Sequence, residues 1–160
     1  MERMAWNDAM SVGAAIIDQD HRSLIDRLNT LDDAVVKADQ SAMLDSFQSL
    51  FEAIARHFDR EEKFLEAHRC PGLGRLRRRH EHLERDLADL RPAFHERLSS
   101  GDGAEVVGQL SRWLRDHILV EDMEYARFLN AKPPSSFRSH ESATQPRRPR
   151  RLPVRRIAAL

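Results

Sequence analysis

Hydrophobic positions in this 160-residue chain fall into four stripes at helical spacing. In the first, Ile17, His21, Leu24, Leu28, Leu31 and Val35 recur at intervals of three and four, which gathers side chains onto one helix face. The second follows a cap at Asp39 or Ser41 and runs through Phe47, Leu50, Ile54, His57, Glu61, Phe64 and His68. Pro71-Gly72 breaks the pattern, and Leu76, His80, Leu83, Leu87, Leu90, Phe94 and Leu98 form the third. Gly101-Asp102-Gly103 breaks it again, with Asp102 placed as a cap. The fourth comprises Val106, Leu110, Trp113, His117, Val120, Glu121 and Phe128. Four helices of similar length on short connections predict an all-α, up-down-up-down four-helix bundle. Pro92 lacks the N–H that would bond Ala88, so the third helix is expected to kink or end early there.

From Pro133 onward the periodicity is lost. Pro-Pro-Ser-Ser and then Gln-Pro-Arg-Arg-Pro-Arg-Arg-Leu-Pro cannot bury enough surface to offset their ordering entropy. The chain is therefore expected to divide into a bundle over residues 1–132 and a disordered basic tail over 133–160. Composition sharpens that division. The formal net charge is zero, yet seven arginines against Glu141 give the tail +6, so the preceding residues carry −6. Such a tail is either a solvated extension or a weak contact for an anionic partner, nucleic acid or anionic membrane.

Leu, Ala and charged residues dominate, and aromatics make up only 6% of the chain, which favours helix over sheet. Cys70, the single cysteine, excludes an internal disulfide and suits a reducing compartment. It sits in a turn, so no thiol chemistry is expected of it. The apolar stretch from Met10 to Ile17 is too short to span a bilayer, and Asp18 follows it at once. A cytoplasmic protein without a transmembrane segment is expected.

The chemistry lies on the stripes. Each carries a histidine where a bundle core would take leucine. One such residue would be a core histidine satisfied by a hydrogen bond. Four, with Glu61 one turn after His57, are another matter, because burying them uncompensated costs several kcal/mol per unpaired charge. A metal pair bridged by carboxylates removes that cost. In the last helix, regular spacing puts Glu121 on the face of His117, whereas Asp122 lies about 140° round. A π-type turn would bring Asp122 onto the face instead. Spacing leaves both open.

Several segments together resemble the bacterial hemerythrins: Trp6 with Val12-Gly13, Ile17-Asp18-Gln19-Asp20-His21 with Leu24, His57-Phe58-Asp59-Arg60-Glu61-Glu62, Pro71-Gly72-Leu73, and His117-Ile118 through Asp122 to Tyr125. The resemblance covers residues from about 5 to 130. It implies a non-haem, carboxylate-bridged pair of iron ions held by His21, His57, Glu61, His80, His117 and Asp122. Glu61 and Asp122 would be the bridges, and Glu121 would face elsewhere. The family's third helix supplies His-x-x-x-His, but here the first of that pair is Leu76. One iron would keep His21 and His57, and its neighbour only His80 and His117. His68 is the one substitute in view, although seven residues along a helix is about 10.5 Å.

Two functional classes follow from the resemblance. One is reversible O2 binding for storage, delivery or sensing. The other is a di-iron redox enzyme acting on O2, peroxide or nitric oxide through the position Leu76 leaves open. A decayed or single-metal site is the plain third reading. No phosphate loop or Ser-His-Asp arrangement points to metal-free catalysis.

Overall fold

Three of the stripes fold as single helices: α1 (Ala15–Val36), α2 (Gln40–Ala67) and α3 (Leu73–Ser100). The fourth is a rod of three consecutive pieces: α4 (Gly103–Asp116), one π-helical turn (His117–Glu121) and α5 (Asp122–Asn130). The structure, a computed structural model, describes residues 3–131; the expected basic tail, 133–160, lies outside the described residues, as does the side chain of Leu90. Helix α1 packs on α2, α2 on α3, α3 on α4, and α4 returns to α1, closing the up-down-up-down bundle.

Local chemistry sets the ends of the rods. Asp39 caps α2, its carboxylate accepting from the Ala42 N–H at 3.0 Å. Asp102 stands at the start of α4 but makes no capping bond; its carboxylate instead accepts from the Ser100 hydroxyl at 3.1 Å. Gly101 ends α3 at φ 99°, a left-handed conformation that costs a glycine nothing. Helix α3 runs through Pro92 to Ser100, so the proline does not end it.

Before α1 the chain forms a 3-10 turn, Asp8–Met10, and an extended stretch. Asp18 pins that stretch, accepting from the Ser11 hydroxyl at 2.6 Å and the Val12 N–H at 2.9 Å. Gly13 has φ 80°, and a Cβ there would lie 2.3 Å from the Asn130 side chain, so only glycine fits.

The apolar interior comes in two blocks. The larger is built from Leu24, Leu28, Leu31, Phe47, Leu50, Ile54, Phe58, Phe94, Leu98, Val106, Leu110, Leu114 and their neighbours. The smaller gathers Val12, Ile17, Leu65, Cys70, Leu76, Tyr125 and Ala126. On every rod the candidate residues fall between the positions of these two blocks, so a polar layer crosses the bundle with oil on both sides.

Downstream of His117 the expected stripe does not hold. Val120 is 61% exposed and Phe128 42%, while Asp122, Tyr125 and Ala126 are buried in their place. The π turn holds one residue more than a regular turn, so every later side chain is rotated by one position.

Candidate metal centre

All six candidate residues are buried: His21, His57, Glu61, His80, His117 and Asp122 are each at most 1% exposed. Their ligating atoms converge in two overlapping groups. His21, His57, His117 and Asp122 form one, and Glu61, His80 and His117 the other, with the atoms of each group within 4.8 Å of one another. His21 Nε2 lies 2.9 Å from Asp122 Oδ2, and His117 Nε2 lies 3.4 Å from the same oxygen. His80 Nε2 is 3.2 Å from Glu61 Oε2, and His57 Nε2 is 3.1 Å from His117 Nε2.

These approaches are not aligned as hydrogen bonds for most of the atoms. His21 Nδ1 and Nε2, Glu61 Oε2, His80 Nε2 and both oxygens of Asp122 are buried without a partner. Native interiors satisfy the great majority of such groups. Lone pairs from four imidazoles and two carboxylates aimed at a common space fit cations with mixed nitrogen and oxygen preference, as transition metals have.

The protonation pattern says the same. Burial, reinforced by the positive fields of His57 and His117, drives His21 down to about 2, so it is a neutral donor. Burial also holds His117 below its usual value, against the pull of Glu121. Burial would lower His80 too, but hydrogen bonds and charge from Glu61 and Glu62 outweigh it and raise His80 to about 9. Burial would raise Glu61, yet His80, His57, His117 and Tyr125 together bring it down to about 2. Asp122 goes the other way, pushed well up by burial and by the charges of Glu61 and Glu121. The two carboxylates are thus driven in opposite directions, Glu61 toward its ionised form and Asp122 toward its protonated one.

A second ring of side chains holds the first. The Nδ1–H of His80 donates to Glu62 at 2.9 Å, and that of His117 to Glu121 at 3.0 Å, which leaves each Nε2 turned inward. Asp20 Oδ2 lies 3.8 Å from His57 Nδ1, and the Tyr125 hydroxyl donates to Glu61 Oε1. Phe58 stacks on His80 at 3.9 Å between centroids, and Trp113 lies parallel to His117 at 5.5 Å. Sequence reasoning named none of Asp20, Glu62, Glu121 and Tyr125 as a supporting residue. Glu121 stands outside both ligand groups, as expected, and what it faces is the outer nitrogen of His117, from which it accepts. Its spacing of four from His117 carried the signal for that contact.

His68 is no substitute ligand. It is exposed at the end of α2, its ring against Phe64 and its Nδ1 2.7 Å from the Phe64 carbonyl oxygen. Leu76 is buried in the smaller apolar block, one turn before His80. Beside it lies a cavity of about 40 Å³ whose lining includes Cys70, Leu76, Arg79, Glu121 and Tyr125.

An all-helical bundle crossed by a layer of buried histidines and carboxylates defines a class of metal-binding bundle proteins. Residues 12–129 match the family model of the hemerythrin HHE cation binding domain, and the chain belongs to the hemerythrin family. It is 30% identical over 142 residues to a bacteriohemerythrin of Stenotrophomonas maltophilia (strain R551-3), covering 89% of this chain and 92% of that one. A bacteriohemerythrin of Ralstonia nicotianae (strain ATCC BAA-1114 / GMI1000) is 28% identical, over 85% of this chain and 96% of its own. A crystal structure of a hemerythrin point mutant superposes with a TM-score of 0.69 at 21% identity, over 82% of this chain and all of the other. Among the described residues no helix is long and apolar enough to cross a membrane.

Proposed function

We propose that the protein holds two iron ions in this layer, bridged by Glu61 and Asp122, and binds O2 reversibly. The observation that carries the reading is the set of buried, partnerless lone pairs on His21, His80, Glu61 and Asp122. Two dications would ionise Asp122 and displace the proton from His80, turning the costliest groups of the interior into ligands. The donor set also suits manganese; the preference for iron rests on the family and on relatives named bacteriohemerythrin.

Iron held by His21, His57, Glu61, His80, His117 and Asp122 would supply the reversible redox chemistry that O2 binding needs. The chain's own residues do the rest. Glu62 and Glu121 fix the tautomers of His80 and His117, Tyr125 holds Glu61 in register, and the two apolar blocks keep bulk water away.

One observation favours a second reading, a redox enzyme acting on O2, peroxide or nitric oxide. Leu76 offers no ligand where the family has a histidine, and the cavity beside it has room for roughly two or three waters. Open coordination positions mark reactive metal sites. Iron per chain, with the visible spectrum before and after air, tests the proposal. Two irons and a band that appears with O2 and fades under argon support carriage. Continuous consumption of O2 or peroxide supports the enzyme, and a colourless protein without iron refutes both.

A further inference from the structure

The groove between α1 and α2 holds a polar cleft of about 220 Å³ that plays no part in the metal layer itself. Gln19, Asp20, Ser23 and Arg27 line it from α1, and Arg56 and Arg60 from α2. Three guanidinium groups thus face one carboxylate, on a body whose formal charge is negative. Two of the three are partnered: Arg60 pairs with Asp20, and Arg56 reaches Glu52 at 3.8 Å. Arg27 is half-buried and differs. Its Nη1 donates only to the Ser49 hydroxyl, and its Nε–H is buried without an acceptor. Among the described residues Arg27 has no carboxylate partner, so its charge is the one in the cleft left free to meet an anion.

We infer that Arg27, Arg56 and Arg60 form a binding site for a dianionic oxyanion of the phosphate class, and that its occupation is transmitted to His57 through Asp20. The planar fork of arginine matches two oxygens of such an ion, and three guanidinium groups against the carboxylates of Asp20 and Glu52 leave the cleft a net positive charge to meet it. The cleft has several times the roughly 30 Å³ that one water occupies in the liquid, enough for a tetrahedral oxyanion with part of its hydration. Asp20 links the cleft to the metal layer. Its Oδ1 takes Arg60, while its Oδ2 is buried without a hydrogen-bond partner, 3.8 Å from His57 Nδ1. An anion that draws Arg60 away leaves this carboxylate to His57, whose inward nitrogen then becomes the stronger donor. The anion site stands independently of the metal; the link to His57 rests on the proposed metal centre.

Calorimetric titration of the full-length protein with inorganic phosphate tests the site, with sodium chloride at matched ionic strength as the control and glycerol phosphate as a phosphate monoester. Saturable phosphate binding, absent with chloride and about ten-fold weaker in Arg27→Gln, is the expected result. Arg60→Gln, at a largely solvent-facing side chain, weakens binding in the same direction and guards against a misfolded Arg27 variant. Tighter binding of glycerol phosphate identifies an esterified ligand, and weaker binding free phosphate. A response matched by chloride, or unchanged in both variants, overturns the site.

The link is read as metal retained against a chelator. Phosphate raises retention about ten-fold in the wild type and not in Asp20→Asn. No rise in the wild type, or a rise that persists in Arg27→Gln, overturns the link. Phosphate bound at Arg27 by a chain that takes up no metal would leave the anion site standing and remove the metal reading instead.

Discussion

Glu121 and Asp122 are adjacent carboxylates on opposite sides of His117, and replacing each in turn separates a supporting residue from a proposed ligand. Glu121 accepts from His117 Nδ1–H at 3.0 Å, and that bond holds its carboxyl below the usual range. Glu121→Gln keeps the shape and removes the charge, so His117 becomes a weaker donor. Loss of an outer hydrogen-bonding partner of this kind lowers metal affinity about 10- to 100-fold, or about 1.4 to 2.8 kcal/mol. Asp122 is fully buried, with His21 Nε2 at 2.9 Å and His117 Nε2 at 3.4 Å from one oxygen. Asp122→Ala would remove the carboxylate proposed to bridge the metals and leave their charge less compensated. Breaking a buried ionic contact by deleting one partner costs about 3 to 5 kcal/mol. Metal per chain after equilibration with a graded chelator series is the assay. Glu121→Gln should shift the midpoint by about one to two decades with full loading still attainable, and Asp122→Ala should abolish loading of at least one metal. Equal losses in the two variants, or full loading in Asp122→Ala, would refute the claim that the π turn aims Asp122 at the metals.

Four further outcomes are expected. Leu76→His places a donor one turn before His80 and should slow the decay of the visible band in air, while any peroxide consumption falls; an unchanged decay rate with two irons in both proteins would sink the open-position idea. Tyr125→Phe removes the donor to Glu61 and should weaken metal binding about ten-fold in the chelator assay, with the helical circular dichroism unchanged. Because His80 is raised to about 9 in the metal-free protein and burial pushes Asp122 well above the usual carboxylate range, loading should release protons at neutral pH, that of His80 foremost, and tighten as pH rises toward 9, measurable in weak buffer. The same raised value gives the metal-free fold a His80 contribution that is complete below the ordinary histidine range and lost as pH rises through 9. Removing residues 133–160 should leave metal content and spectrum unchanged, since every candidate ligand precedes residue 123.

The four rods and five of the six candidate residues were readable because each occupies a core slot in a repeat of three and four. Periodicity reports burial, and a histidine or glutamate in a leucine slot is visible as an anomaly. Asp122 was not readable in that way. A π turn costs one backbone register over five residues, and His117 through Glu121 carry no proline or glycine to mark it. The same inserted residue is why Val120 and Phe128 face solvent. The supporting contacts were hidden for a different reason. Glu62 reaching His80 and Tyr125 reaching Glu61 join different rods, and such pairings depend on how two helices are rotated about their axes, which one stripe does not record.

The absence of a histidine at Leu76 changes the balance between the two halves of the layer rather than simply impoverishing one. Under the proposed assignment each iron has two histidines and shares two carboxylates, so the first coordination spheres become alike. What still separates them is the ring behind. His80 and His117 are each backed by a glutamate at hydrogen-bonding distance. His21 has no partner on Nδ1, and Asp20 stands off from His57 at 3.8 Å. A carboxylate behind an imidazole strengthens its donation and favours the more highly charged metal. Part of what Leu76 would take from a second iron would thereby be returned through Glu62 and Glu121. The two effects would also differ in reach: strengthened donors offset charge but would not supply the ligand that Leu76 lacks. On the proposed assignment, Glu62 and Glu121, rather than the ligands themselves, would be the residues at which retention of metal is tuned apart from the number of ligands.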